Sequence, residues 1–201
     1  FAEKYYSMSP YQYGANSPVG NIDVNGDSII IKPNANGIID QIKVLFGYDT
    51  KFQKDVKADL FQLKQDDKKV ADIIGKLEES KNIHYITMPK KGEYNSTGFN
   101  ADKVKKNISQ GSEIYYNPYN RRRGRNDSDM RTPRIGLAHE LQHSFDVDKK
   151  VATYERTKNG ILLMDIRAIN TENRIRKVIG EPKRTMYGCL LYTSPSPRDP
   201  K

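Results

Sequence analysis

The stretch between Ile135 and Phe145 constrains the fold more than any other part of the chain. It reads Ile-Gly-Leu-Ala-His-Glu-Leu-Gln-His-Ser-Phe, and just before it lies Pro133, a residue suited to the first turn of a helix. The pattern predicts a helix from Pro133 to about Val147. Its apolar stripe consists of Ala138, Leu141 and Phe145. A helix with such a stripe has to pack against a core, which leaves its other face for polar side chains.

That polar face carries the pattern His139-Glu140-x-x-His143. Residues four apart lie one above the other on a helix, so the two histidines can present two imidazole nitrogens to one metal ion. Zinc held by three protein groups keeps a fourth position for water and lowers the pKa of that water to about 7. Glu140, beside the pair, is placed to take a proton from it. The pattern predicts a zinc-dependent hydrolytic site, against the alternative of two buried structural histidines.

A third protein ligand is needed, and the sequence restricts its type. The remaining histidine, His84, lies in a candidate strand and is predicted to be structural. The chain has one cysteine, Cys189, so an internal disulfide and a cysteine-based zinc site are both excluded. The third ligand is therefore expected to be a carboxylate.

The carboxylate candidates follow the first helix. A second helix is predicted from Leu163 to Ile179, where Gly180 ends it. It offers Asp165 and Glu172, which lie seven residues apart and so on roughly the same face. One of them is expected to bind zinc while the other holds a histidine in place. Glu155, in the connecting loop, is a weaker candidate.

The rest of the central region mixes strands and helices. Strands are predicted at residues 28–32, 83–87 and 112–117, where β-branched and aromatic residues are bounded by turn residues. Apolar residues between Lys51 and Ser80 recur at helical spacing and predict one broken helix or two consecutive ones. This order predicts an α+β domain.

Composition leaves a second function class open. The net charge is +9, part of it concentrated at Arg121, Arg122, Arg123 and Arg125. Such a cluster suits an anionic partner, so a toxin acting on nucleic acid is the alternative to a peptidase, although no aromatic-interleaved basic stripe accompanies it. A non-catalytic module with a vestigial motif is the third possibility. No apolar run approaches the roughly 18 residues of a membrane span, so none is expected.

Three segments of different origin are predicted. The opening, Glu3-Lys-Tyr-Tyr-Ser-Met-Ser-Pro-Tyr-Gln-Tyr-Gly, followed by Asp23-Val-Asn-Gly-Asp, resembles the end of an Rhs-repeat core, with Val24 where that family usually has proline. Residues 189–201 resemble a translated sequencing adapter and are expected to be a non-native tail. Residues 1–27 are then the junction and residues 28–188 the functional domain. The Rhs resemblance implies a toxin delivered into a target cell as part of a larger secreted protein, with a cognate immunity protein.

A second resemblance concerns residues 110 to 188. Leu-Ala-His-Glu-Leu-Gln-His, then Asp165-Ile-Arg-Ala, Glu172-Asn-Arg-Ile-Arg and Arg184-Thr-Met-Tyr-Gly are together similar to the NleD-like effector metallopeptidases, which are zincins. The resemblance implies a zincin-like fold with an active-site helix, a bordering strand and a following ligand helix. It also implies hydrolysis of a protein substrate through a metal-activated water. Zincins commonly take their third ligand from an acidic-x-x-Ala helix, which favours Asp165.

Two further roles come from zincin resemblance. Arg184 and Tyr187 are similar to an Arg-x-x-Tyr pair that stabilises the developing oxyanion in some clostridial neurotoxins. The run from Glu113 to Pro118 resembles the strand that borders a zincin cleft and to which a peptide substrate adds. Arg184 and Tyr187 are thus predicted catalytic residues beside Glu140, with an exposed arginine and a core tyrosine as the alternative.

Overall fold

The computed structural model describes residues 28–35, 37–121, 130–187 and 190–191. Over those residues the chain forms six helices and six short strands. In chain order they are β1 (Ile29–Ile31), α1 (Ile38–Leu45), α2 (Lys51–Asp66), α3 (Lys68–Glu78), β2 (His84–Thr87), β3 (Ser96–Gly98), α4 (Ala101–Lys105), β4 (Ser112–Tyr115), α5 (Pro133–Asp148), α6 (Leu163–Ile179), β5 (Met186–Tyr187) and β6 (Leu190–Leu191). The predicted α+β class is confirmed.

Four of the strands form a small mixed sheet in the order β1-β2-β4-β3. β1 and β4 both run parallel to β2, which lies between them, whereas β3 runs antiparallel to β4. β3 is therefore an edge strand, and its other side is not paired with any strand in the described part of the sheet. β5 and β6 form a separate antiparallel pair, and β6 falls within the segment predicted to be a tail.

The break between α2 and α3 has a local cause. Asp67 ends α2 in an extended conformation, and its side chain accepts hydrogen bonds from the backbone N–H groups of Lys69 and Val70 at the start of α3. A carboxylate in that position satisfies donors that the first turn of a helix leaves unpaired. The apolar residues between Lys51 and Ser80 thus serve two consecutive helices, one of the two predicted arrangements.

Helix α5 passes through the centre of the molecule. It packs on α2, α3, α6 and on the β3–β4 side of the sheet. Its apolar residues join one continuous core with the inner side chains of the sheet and of α2 and α3, among them Ile86, Ile114, Val56 and Ile74. Its polar face is buried as well, because α6 covers it: 13 of its 16 residues are buried. This differs from the exposed polar face that a simple amphipathic helix would have.

Helix α6 ends where the sequence predicts. Gly180 follows Ile179 in the left-handed conformation, with φ of 75°, and its N–H bonds to the carbonyl of Arg176. Glycine adopts this conformation without the strain of a Cβ, so it is the natural residue for stopping a helix. No helix among the described residues is both long enough and apolar enough to cross a membrane.

Candidate metal centre

The two histidines of α5 face one another across one helical turn. Nε2 of His143 lies 3.3 Å from Nε2 of His139, and the ring centroids are 5.0 Å apart in an edge-to-face arrangement. Both side chains are largely buried, with their residues 8% exposed. Burial and the neighbouring His139 lower the pKa of His143 to about 3. The two imidazoles therefore approach one another through the same type of nitrogen, Nε2.

Asp165, in the first turn of α6, is the carboxylate that reaches this pair. Its Oδ1 lies 3.6 Å from Nε2 of His143. A tetrahedral zinc site with bonds of about 2.0–2.1 Å has ligand atoms separated by about 3.3–3.4 Å. In the described part of the chain no three His, Cys, Asp or Glu side chains are already closed into a metal cage. The two measured separations nevertheless fit such a site, and a small shift of Asp165 would bring the longer one to the tetrahedral value.

Glu172, the alternative ligand, lies on the other side of His139. Its Oε2 is 3.3 Å from Nδ1 of His139, the ring nitrogen opposite the one that faces His143. The two groups are close but not aligned as a hydrogen bond. Glu172 thus fits the predicted supporting role, in which a carboxylate fixes the orientation of a histidine. Glu155 is exposed and does not line the cavity beside the histidines.

Three arginines surround Glu172, which is completely buried. Arg176 donates two hydrogen bonds to Oε1 at 2.9 and 3.1 Å, Arg184 donates one to Oε2 at 2.9 Å, and Nη1 of Arg131 is 3.4 Å from Oε1. Burial alone would raise the pKa of Glu172, but contacts with His139 and the positive charges of Arg131 and Arg184 outweigh it and hold the pKa well below its usual range. The Glu172 carboxylate therefore binds three arginines on the side of His139 that faces away from His143.

Glu140 faces the cavity from the same helix. Its Oε2 accepts a hydrogen bond of 2.9 Å from the hydroxyl of Thr97, in β3. That hydroxyl also lies 3.1 Å from the backbone carbonyl of Glu140, so it links the edge strand to α5. Burial raises the pKa of Glu140, while nearby His139 and Thr97 oppose the change. The carboxyl group is thus placed and tuned as a proton acceptor would be.

The cavity in front of these groups has a volume of about 390 Å³. Its wall consists of Asn95, Ser96, Thr97, Phe99, Arg131, His139, Glu140, His143, Tyr154, Leu162, Met164, Asp165 and Arg184. It thus brings together the histidines, Glu140 and Asp165, and adds Arg184. A volume of this order lies within the usual range of ligand-binding clefts.

The strand beside the cavity is not the predicted one. The run from Glu113 to Pro118 was expected to border the cleft, and the structure shows that expectation to be wrong. β4, which begins that run, lies inside the sheet between β2 and β3. The edge beside the cavity is β3, and it contributes Ser96 and Thr97 to the wall. β3 occupies this edge because its backbone pairs with the outer side of β4.

Of the two remaining predicted catalytic residues, the structure describes the side chain of one. Arg184 lines the cavity while its Nη1 binds Glu172. Its backbone is held by Asn173 of α6, whose side-chain oxygen accepts from the Arg184 N–H at 2.7 Å. The side chain of Tyr187 lies outside the described residues, and so do the predicted junction at residues 1–27 and Arg122, Arg123 and Arg125 of the basic cluster.

His84 has the predicted structural environment. It is fully buried, with Nδ1 2.8 Å from the hydroxyl of Ser112, which in turn donates to Ser144 of α5. Its Nε2 lies 3.7 Å from Asp148, at the end of the same helix. Burial lowers the pKa of His84 despite that neighbouring carboxylate. This polar chain anchors α5 to the sheet below the histidine pair.

Sequence reasoning missed Thr97, Asn95 and Arg131. Thr97 and Asn95 belong to a polar stretch without hydrophobic alternation, and Arg131 precedes the helix start at Pro133 without any motif. No protein-family model, curated protein or solved structure matches the chain. Interpretation of the site therefore depends on its own geometry.

Proposed function

We propose that this chain is a zinc-dependent metalloendopeptidase of the zincin type, similar to the NleD-like effectors. His139, His143 and Asp165 would hold the metal, and Glu140 would be the general base. One observation carries the proposal: Nε2 of His143 lies 3.3 Å from Nε2 of His139 and 3.6 Å from Oδ1 of Asp165, both close to tetrahedral ligand spacing, in a cavity that Glu140 also lines. A pair of structural histidines on a core helix would not need this combination.

Zinc, when bound, supplies a Lewis acid that polarises the scissile carbonyl and lowers the pKa of water. Glu140 takes a proton from the attacking water while the oxygen of that water bonds to the carbonyl carbon. It then gives that proton to the amine nitrogen as the C–N bond breaks. The hydroxyl of Thr97, 2.9 Å from Oε2 of Glu140, keeps the carboxyl group oriented towards the cavity through both transfers.

A protein segment in extended conformation is the substrate that this site suits. β3 ends the sheet beside the cavity, and its outer backbone groups can pair with an added strand. Such pairing uses backbone groups only, so it would align a peptide bond over Glu140 without contacting the side chains of the substrate. Binding of this kind favours a flexible loop or terminus of the substrate protein over a folded surface.

Arg184 and Tyr187 are proposed to stabilise the carbonyl oxygen as negative charge develops on it. The guanidinium of Arg184 lies in the cavity wall, and its bond to the buried Glu172 holds it in position. A fixed cation in a site with little water stabilises such charge more than a mobile one. The role of Tyr187 follows from the resemblance alone.

We also propose that the domain is a bacterial toxin, secreted or delivered as part of an Rhs-type protein and neutralised by a cognate immunity protein. The support is the resemblance of the Tyr-rich opening to the end of an Rhs-repeat core, together with the Asn25-Gly26 pair, a sequence signal typical of a turn. A toxin of this kind would meet its protein substrate only inside the target cell. Membrane anchoring and nucleic-acid binding are not part of the proposal.

Zinc content measured by elemental analysis tests the metal site directly. The purified chain is expected to hold one zinc per molecule after reconstitution, and His143→Ala and Asp165→Ala are expected to lose it. Glu155→Gln, which changes an exposed carboxylate in the loop between α5 and α6, is the matched control and should keep its zinc. A folded parent protein without zinc would overturn the proposal, and loss of zinc only in Glu172→Gln would move the third ligand to Glu172.

A further inference from the structure

We propose that Arg131 and Asn95 form a carboxylate-binding subsite in the cavity wall, so that this site takes peptides with a carboxylate group near the scissile bond. This inference rests on the proposed peptidase function and specifies its substrate class. The carboxylate has two possible sources, an Asp or Glu side chain and the C-terminus of the peptide.

The subsite is built over Gly136 of α5. A Cβ on that residue would lie 2.6 Å from Nη2 of Arg131 and 2.6 Å from Nδ2 of Asn95. Contacts this short are essentially never made by a real Cβ, so any other residue would push the two groups aside. Two nitrogen donors from separate segments thus lie near one another against the helix backbone at Gly136, and both residues line the cavity. The missing side chain of Gly136 is what lets them approach that backbone.

The orientation of the Asn95 amide is set by its other contact. Its Oδ1 accepts a hydrogen bond of 3.1 Å from the backbone N–H of Asn117. Because an N–H can only bond to the oxygen, the amide nitrogen has to be the group that lies towards Gly136. Arg131 and Asn95 therefore both present N–H donors here. A carboxylate is the ligand group that accepts from two such donors at once.

Arg131 makes a longer contact with Glu172 than its neighbouring arginines do, and its other nearby anion is Glu140. Arg131 is only 5% exposed, and its contact with Glu172 is 3.4 Å long. Arg176 and Arg184 hold the same carboxylate at 2.9 Å. A buried guanidinium is stabilised by a closely paired anion, and the cavity side of Arg131 is where a ligand can supply one.

The position of the subsite indicates which substrate residue it contacts. Gly136 precedes Glu140 by one helical turn, so the subsite lies about 6 Å along α5 from the general base. An extended peptide advances about 3.3 Å per residue. The recognised carboxylate is therefore expected on a residue within about two positions of the scissile bond.

Paired peptide libraries test the proposal in two ways. The probes are random ten-residue peptides with one fixed Glu or one fixed Gln, each made with a free and with an amidated C-terminus. Hydrolysis by the zinc-loaded protein is read by mass spectrometry of the products. Binding to Glu140→Gln, which should be unable to hydrolyse, is read by fluorescence polarisation of the same peptides carrying a dye.

The parent is expected to prefer the acidic or free-terminus peptides by about tenfold or more, the usual effect of a charge-assisted hydrogen bond. Arg131→Gln should abolish the preference. Gly136→Ala should weaken it, because the added Cβ pushes Arg131 and Asn95 aside, and circular dichroism checks that this variant is folded. Arg174→Gln, which removes an arginine bound to Asp67 outside the cavity, is the matched control and should leave the preference intact.

The two readouts separate the subsite from the peptidase proposal. Preferential binding that Arg131→Gln abolishes, without hydrolysis, would support the subsite and overturn the peptidase. Hydrolysis without a carboxylate preference, or with one that Arg131→Gln leaves unchanged, would overturn the subsite alone. A preference that vanishes when the C-terminus is amidated assigns the carboxylate to the peptide terminus, whereas one that follows the fixed Glu assigns it to a side chain. If the peptides are neither bound nor hydrolysed, both proposals are overturned.

Discussion

Replacement of Glu172 by Gln tests whether one buried carboxylate holds the centre together. Glu172 has no solvent exposure and is the common partner of Arg131, Arg176 and Arg184. Removing one partner of a buried ion pair costs about 3–5 kcal/mol, because the charge left behind stays buried without compensation. Gln keeps the size of the side chain but places an amide N–H₂ among guanidinium donors. We therefore expect a loss within that range in the free energy of unfolding.

The assay is urea denaturation of the zinc-free protein, followed by circular dichroism. For a domain of this size the loss corresponds to a decrease in Tm of roughly 6–20 °C. Glu113→Gln is the matched control, since Glu113 also accepts from three side chains but is 33% exposed. Its effect should stay within about 1 kcal/mol, as for surface ion pairs.

Zinc binding gives the second half of this prediction. Because Glu172 lies against Nδ1 of His139, its replacement should also weaken zinc affinity by about 10–100-fold, the usual effect of losing a partner behind a metal-binding histidine. A zinc-free Glu172→Gln protein as stable as the Glu113→Gln protein would refute the reasoning from buried charge. Unchanged zinc affinity would refute the orienting role.

Three further predictions test other parts of the molecule. Glu140→Gln should keep the fold and bound zinc but lower kcat by about 10²–10⁴-fold, the usual contribution of a general base, and an unchanged rate of peptide hydrolysis would assign the proton transfer elsewhere. Burial lowers the pKa of His84 below its usual 6.5, so the unfolded state binds a proton there more readily than the folded state, and the free energy of unfolding should fall as pH drops below that value. Denaturation at pH 5 to 7 should give a shallower pH dependence for His84→Gln, and identical slopes would contradict this. Asp67→Ala should destabilise the protein by about 1–2 kcal/mol in thermal denaturation through loss of the α3 N-cap, whereas Asp72→Ala, on the exposed side of the same helix, should change stability by much less.

Local chemistry made the larger elements predictable. Pro133 and Gly180 mark helix boundaries by restricting or permitting particular backbone angles, and the structure places α5 and α6 accordingly. The four-residue spacing of His139 and His143 likewise determines their proximity on any helix. Where the physical cause lies within a few neighbouring residues, the sequence carries the information.

Elements that depend on distant contacts were not predictable in the same way. β3 has the sequence Ser-Thr-Gly, with no hydrophobic alternation, and it is a strand because its backbone pairs with β4. Because β3 pairs with β4, the run from Glu113 to Pro118 that was predicted to border the cleft begins with an internal strand. α1 was missed too; all its residues are at least partly exposed.

The candidate site shows the same division. The sequence could limit the candidates for the third ligand to Asp165, Glu172 or Glu155. Only the packing of α6 on α5 distinguishes the first two, because it places Asp165 near an Nε2 atom and Glu172 near an Nδ1 atom. Arg131 carried no signal, because its position against Gly136 and beside Glu172 comes from the packing of distant segments. A buried arginine can be recognised only when its surroundings are known.

The burial of α5 has a consequence for how such a domain can diversify. Because 13 of its 16 residues are enclosed, almost any substitution in that helix would cost stability before it changed which peptide is accepted. Ser96 of β3 and Tyr154 of the loop before α6 line the same cavity and are exposed, so substitutions there would disturb less packing. Under the proposed function, changes that alter which protein is attacked are therefore expected at those exposed positions while the central helix stays constant, so sequence variation among descendants would mark the residues that contact the substrate.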